Sequence, residues 1–207
     1  MGKKANMKKS NKNMVKPKKK RFKLDSLDVM ALLIFIVIGL GIIAGSVWYY
    51  AFHLPQATRE MERVTHAFVD EWFNIHYETA TGLEGVDYRT ASLAATIRRD
   101  ANTFVNRYRD DKLVRSVKGD VEVQILERGW NSGKTRAVFL LVEERDGKAK
   151  EILYYFDYNF SLENGNWLIN TVYTPNAREL EAFQKARGWE APAEDDENGE
   201  DEDGAEN

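Results

Sequence analysis

The sequence contains no cysteine. Structural disulfides, thiol nucleophiles and cysteine-ligated zinc or iron–sulfur centres are therefore excluded. Common catalytic signatures are missing as well: there is no His-Glu-x-x-His, no Walker A phosphate loop and no Gly-x-Ser-x-Gly elbow. The acidic residues near the C-terminus have a spacing that fits no ordered calcium loop. Nothing in these motifs asks for a metal or a cofactor. A basic footprint is also lacking where a nucleic-acid-binding domain would need one, because residues 53–189 hold 19 basic and 21 acidic side chains. No specific nucleic-acid partner is expected.

What is present is an uninterrupted apolar run over residues 29–52, VMALLIFIVIGLGIIAGSVWYYAF, without a charge. As a helix it would be about 36 Å long, enough to cross a hydrocarbon core of about 30 Å with some tilt. The run is too long for the apolar part of a signal peptide, and no small-residue cleavage site follows it, so an uncleaved anchor is expected. Residues 1–28 form a basic arm, read as disordered, with 11 Lys and Arg against 2 acids. The positive-inside rule places that arm in the cytoplasm and the remainder outside, at a cell membrane. Trp48, Tyr49 and Tyr50 are the expected outer interface anchors, with Phe22 near the inner face. Gly41 and Gly45 form a Gly-x-x-x-Gly pattern that would let a second copy of the helix approach closely. The arm itself would lie along an anionic lipid surface.

Beyond the run, helices precede strands. Pro55 suits a first helical turn. Met61, Val64, Phe68, Trp72 and Ile75 then recur at spacings of three and four, which predicts an amphipathic helix over about 56–77. Leu93, Ile97, Ala101, Phe104 and Tyr108 predict a second helical region over 88–111. From residue 121 the period becomes two, giving strands over about 121–125, 135–143, 151–162 and 167–173. Asp146-Gly147 and Asn164-Gly165 supply hairpin turns between the last three. The expected architecture of residues 55–174 is α+β: helices packed on a curved four-stranded antiparallel sheet, with both apolar stripes as its lid. A short amphipathic helix is expected over 175–189, carrying Leu180 and Phe183 on one side, and an acidic disordered tail over 190–207.

Residues 154–173, YYFDYNFSLENGNWLINTVY, carry a resemblance. Alternating hydrophobes, a Gly-containing turn and then Trp167-Leu168-Ile169-Asn170-Thr171-Val172 resemble the closing strand pair of the nuclear-transport-factor-two-like superfamily, the cystatin-like cone folds. The resemblance covers about residues 56–174. With a basic arm and one span added, the whole resembles the bitopic assembly subunits of type IV secretion and conjugation machines, and its layout is also similar to that of other single-span envelope proteins of Gram-positive bacteria, including Mce-associated membrane proteins; no motif selects one of them. It implies a cone-shaped domain, membrane and envelope proteins as partners, and a homo-oligomer among the options.

Enzymes of that superfamily use Asp, Tyr, His or Arg groups inside the cone. The corresponding residue types here are Asp157, Tyr154, Tyr158, His66 and His76. Alternation places Asp157 with Tyr155 and Asn159 on the face opposite Tyr154, Phe156 and Tyr158, at a solvated or rim position, so no catalytic residue is assigned. His66 and His76 would be about 15 Å apart along a helix, too far to share a metal. Trp72, Phe104, Tyr154, Phe156 and Tyr158 are the ligand-pocket candidates, weighed against an ordinary aromatic core. The expected function is a non-enzymatic, single-pass membrane scaffold making protein contacts in an envelope complex, in conjugation or secretion machinery. The alternative is a membrane-tethered ligand-binding domain or enzyme using the cone interior.

Overall fold

A computed structural model describes residues 26–190. The basic arm through residue 25 and the acidic tail from residue 191 lie outside the described residues, as does Phe22. The chain divides into two packing units, one ending at Gly45 and one beginning at Ser46.

The first unit contributes most of helix α1, Ser26–Trp48, in which no residue is buried. Apolar side chains point outward all the way round it, from Leu27 at 78% exposed to Val47 at 56%. A helix that is apolar on every face and buried on none is long and apolar enough to cross a membrane. A Cβ added at Gly41 or Gly45 would meet nothing within 4 Å.

The second unit is α+β, with a five-stranded antiparallel sheet that curls into a half-barrel. A π-helical turn, Tyr49–His53, leads into helix α2, Leu54–Phe73. Strand β1, Ile75–His76, follows, then helix α3, Ala91–Asp110, and strands β2, Val114–Arg128, β3, Ser132–Arg145, β4, Lys148–Glu163, and β5, Asn166–Tyr173. Helix α4, Ala177–Ala186, closes the order. The sheet runs β1-β2-β3-β4-β5, each strand beside its sequence neighbour. Both Asp146-Gly147 and Asn164-Gly165 have positive φ throughout (48° and 79°, 51° and 83°), the backbone that two-residue hairpins on twisted strands require.

Four strands were expected and five are found. The extra one is β1, which the periodicity had absorbed into the end of α2. The helix stops at Phe73 because Asn74 leaves helical geometry (φ −99°, ψ 81°). Its side chain donates to Asp70 at 2.7 Å and accepts from the Val117 backbone at 2.8 Å. Ile75 and His76 then pair with Arg115 and Val114.

The lid also differs from expectation. Helix α2 alone lies on the concave face, where Ala57, Met61, Val64, Phe68 and Phe73 meet Phe139, Leu141, Phe156, Tyr158 and Ile169. The α3 stripe packs elsewhere: Ala94 and Ile97 with Val86, and Tyr108 with Ile75, Ala80 and Leu113. Phe104 touches both small clusters. Helix α4 docks on the convex face. Its capping box, formed by Asn176 and Glu179, starts it squarely. Phe183 then packs against Tyr155, ring centres 4.7 Å apart, and Gln184 donates to the Leu153 carbonyl at 3.0 Å.

Two contacts fix α2 on the sheet. The buried hydroxyls of Thr65 and Thr135 share a 2.9 Å hydrogen bond, and Thr65 also donates to the Met61 carbonyl at 2.7 Å. Beside them Met61 sits so close over Gly133 that a Cβ there would overlap its sulfur.

Candidate functional site

Two side-chain constellations stand out. The first is an aromatic collar at the entry to α2. Pro55 has no N–H to donate, and its ring crowds the carbonyl four residues back. The helix absorbs this with the π turn, in which the Leu54 N–H reaches back to the Tyr49 carbonyl. The extra residue in that turn brings Trp48, Tyr49 and His53 to one side. His53 stacks on Trp48 and Tyr49 with centroids 5.6 and 5.5 Å away. Tyr50 meets Tyr49 edge-on at 5.2 Å.

The fifth ring comes from far along the chain. Trp130, at the tip of the β2–β3 hairpin, lies 5.5 Å from Trp48, 5.4 Å from Tyr49 and 4.9 Å from His53. Nε2 of His53 makes a 2.9 Å hydrogen bond to the Trp130 carbonyl, 77 residues away. A carbonyl only accepts, so Nε2 carries the proton. Each ring pair of this kind is worth roughly 0.5–1.5 kcal/mol beyond its burial.

The second constellation surrounds Arg89. Glu71 on α2 accepts from the Gly85 backbone at 3.1 Å and from the Tyr88 hydroxyl at 2.9 Å, which pins the segment before Arg89. That hydrogen bond to Glu71 pushes the Tyr88 phenol above its ordinary range. Thr90 donates its N–H to Ile169 at 3.0 Å. Between these fixings the Arg89 guanidinium lies over Trp72 at 4.3 Å and over Phe68 at 4.8 Å. The residue is 7% exposed, and its Nε has no hydrogen-bond partner. Thr90 Oγ1 and the Tyr158 hydroxyl are likewise buried without partners. Burial lowers the Arg89 pKa from its usual range and raises that of Tyr158. Two ring faces partly replace lost hydration, at about 0.5–2 kcal/mol each.

The ligand-pocket candidates separate into two groups. Trp72 and Tyr158 both touch Phe68 (5.9 and 5.4 Å), close to Arg89, and Phe104 meets Trp72 edge-on at 6.4 Å. Phe156 and Tyr154 belong to a second ring stack: Phe73 lies 4.9 Å from both Phe139 and Phe156, and Tyr154 5.5 Å from Phe156. Burial raises the Tyr154 pKa.

Asp157 shares the face of Tyr155 and Asn159, but it is not a solvated rim position. It is 3% exposed, bound by Arg136 through two hydrogen bonds and approached by Lys134 at 3.2 Å. The alternation was right about the face. It did not reveal that two cations would close over it. His66 and His76 are both exposed, on α2 and β1. His66 lines an open groove of about 640 Å³ between α2 and β2, with Asp70, Asn74 and Val121. Among the described residues no group of three metal-ligating side chains occurs.

Sequence reasoning missed Trp130, His53 and Arg89. A tryptophan in a hairpin loop was the one available signal, since loops seldom keep large apolar rings without a surface for them. Compared with known proteins, the sequence is matched by no family model, and no curated protein shows significant similarity to it.

Proposed function

We propose that this protein is a single-pass membrane scaffold whose folded domain, residues 55–174, makes protein contacts outside the cytoplasm within an envelope complex, with conjugation or secretion machinery as the setting. The observation that carries the reading is α1, apolar on every side with no residue buried. Its exposed surface needs a hydrocarbon environment. The 11 basic residues before it favour a cytoplasmic N-terminus. The ring-on-ring packing of Phe73, Phe139 and Phe156 across the concave face supports a scaffold over an open catalytic cone. A cone-like domain of the nuclear-transport-factor-two-like kind belongs to the same proposal.

The absence of native cysteine makes the test direct. Single Lys12→Cys and Lys148→Cys variants are exposed in intact cells to a membrane-impermeant maleimide. Labelling of position 148 alone is expected, and labelling of position 12 alone reverses the orientation. Cross-linking in native membranes followed by native gels then tests assembly. A full-length protein that stays monomeric and joins no membrane-protein complex removes the scaffold reading.

A membrane-tethered ligand-binding domain is the second reading, and Arg89 favours it. An unpaired guanidinium suits a carboxylate or phosphate. Titration of the purified protein with acetate and inorganic phosphate tests it, followed through the fluorescence of Trp72. A response that Arg89→Met abolishes supports the reading, and no response at millimolar ligand removes it.

A further inference from the structure

We propose that the β2–β3 hairpin tip is a second membrane contact, with Trp130 seated in the phospholipid headgroup layer beside Trp48 and Tyr49. The inference rests on the reading of α1 as a membrane span.

Chain arithmetic locates the layer. A hydrocarbon core of about 30 Å takes about 20 helical residues. Counted from Val29, the twentieth is Trp48, the first ring of the collar. Tryptophan and tyrosine concentrate at this depth because an indole or phenol is too apolar for water and too polar for hydrocarbon. Trp130 packs on Trp48 and Tyr49 at 5.5 and 5.4 Å, so the hairpin tip shares their depth. It is nevertheless 56% exposed, and Tyr50 and Phe52, at the end of the apolar run, are 70% and 64% exposed. The collar therefore holds Trp130 in place without covering it.

Three backbone groups of the tip are closed within the protein. The Gly129 N–H donates to Ser132 at 2.8 Å, the Asn131 carbonyl accepts from Leu162 at 2.9 Å, and the Trp130 carbonyl accepts from His53. Closing such groups internally lowers the cost of setting the tip against lipid, where water is scarcer than in bulk. An imidazole placed to close the Trp130 carbonyl has this consequence, and a solvated hairpin tip would not need it. Leu126 and Arg128, both exposed on the last stretch of β2, add an apolar side chain and a cation that suit an acyl boundary and a phosphate.

The test uses full-length protein reconstituted in vesicles of phosphatidylcholine and phosphatidylglycerol. A single cysteine at Asn131→Cys carries a bimane label, and Lys148→Cys at the β3–β4 turn, the other end of the sheet, serves as the aqueous control. Phosphatidylcholine brominated at carbons 6 and 7 is expected to quench most of the label at position 131 and shift its emission to the blue. The label at position 148 is expected to stay unquenched. Adding Trp130→Ala is expected to abolish the quenching while the far-ultraviolet circular dichroism is unchanged, and Trp130→Phe to retain it. Equal behaviour of the two labels, in protein that resists alkaline carbonate extraction, overturns the hairpin contact and leaves the membrane span standing. Extraction by carbonate overturns the span and the contact together.

Discussion

Asp157 and Arg136 are register partners across β4 and β3, and two hydrogen bonds of 2.6 and 3.0 Å join the carboxylate to the guanidinium. The pair holds the Arg136 guanidinium above its usual range. Arg136 also lies 4.5 Å over the Tyr155 ring, which α4 covers through Phe183. The pair therefore ties the convex face of the sheet to the last helix. Asp157→Asn removes the charge and one good acceptor while leaving two cations in place. A loss of about 2 kcal/mol is expected, the scale for hydrogen bonds to charged groups, reduced because the Arg136 side chain is 30% exposed. Urea denaturation measures it; an unchanged midpoint contradicts a structural role.

Tyr158 presents the opposite case, a buried hydroxyl with no partner. Tyr158→Phe is expected to lie within about 1 kcal/mol of the parent at pH 7, or above it, because no hydrogen bond is lost and a desolvated hydroxyl is removed.

The same residue sets an alkaline limit. An unfolded tyrosine ionises near pH 10. In the folded chain burial keeps Tyr158 protonated well above that, although Arg89 pulls the other way. Above pH 10 the unfolded chain has lost a proton that the folded chain keeps. Stability is therefore intact below about pH 10 and falls as pH rises, by about 1.4 kcal/mol per unit from this group. Tyr158→Phe is expected to make that part of the curve shallower, while the raised phenols of Tyr88, Tyr108, Tyr154 and Tyr155 remain. Tyr173, raised to about 12 by its hydrogen bond to Glu179, bends the curve the same way and remains in the variant. Urea melts at pH 8 to 11 test the slope.

Arg89→Met and Arg89→Lys separate shape from charge. Methionine keeps an apolar stem between Phe68 and Trp72 and removes an unpaired buried cation, so a change within about 1 kcal/mol is expected. Lysine keeps the charge but loses the flat, weakly hydrated head that stacks on the rings, and about 1–2 kcal/mol of destabilisation is expected. The reverse ranking in thermal melts means that the charge itself is required.

Gly133→Ala tests the α2–β3 approach. Its Cβ would overlap the Met61 sulfur, and Met61 is fully buried. Destabilisation of about 1–3 kcal/mol is expected from the overpacking. Combined with Met61→Ala, the cost is expected to be clearly less than additive, because the two residues contest one space.

Much of the fold is local and was legible. The apolar run, the alternation in β4 and the two Gly-containing hairpin turns each depend on residues within a few positions of one another. Strand β1 was not legible, because two residues hold no period and Ile75 equally continues the α2 stripe. The placement of α3 was also closed to sequence reading. An apolar stripe says that a helix is covered on one side and not by what. Here the segments around Val86 and Leu113 and the short edge strand β1, through Ile75, cover α3, and the concave face of the sheet does not.

By itself the sequence determined the helix that needs an apolar surrounding, the alternating faces of the strands and the turns between them, since side-chain period and turn chemistry act over short range. Only the tertiary structure decided that Trp130 would meet Trp48, Tyr49 and His53, that Arg89 would lie unpaired between two rings, and that Asp157 would be buried beside Arg136 and Lys134. Those contacts join residues tens of positions apart. No local energy term favours them until α2 and α4 have closed on the two faces of the sheet.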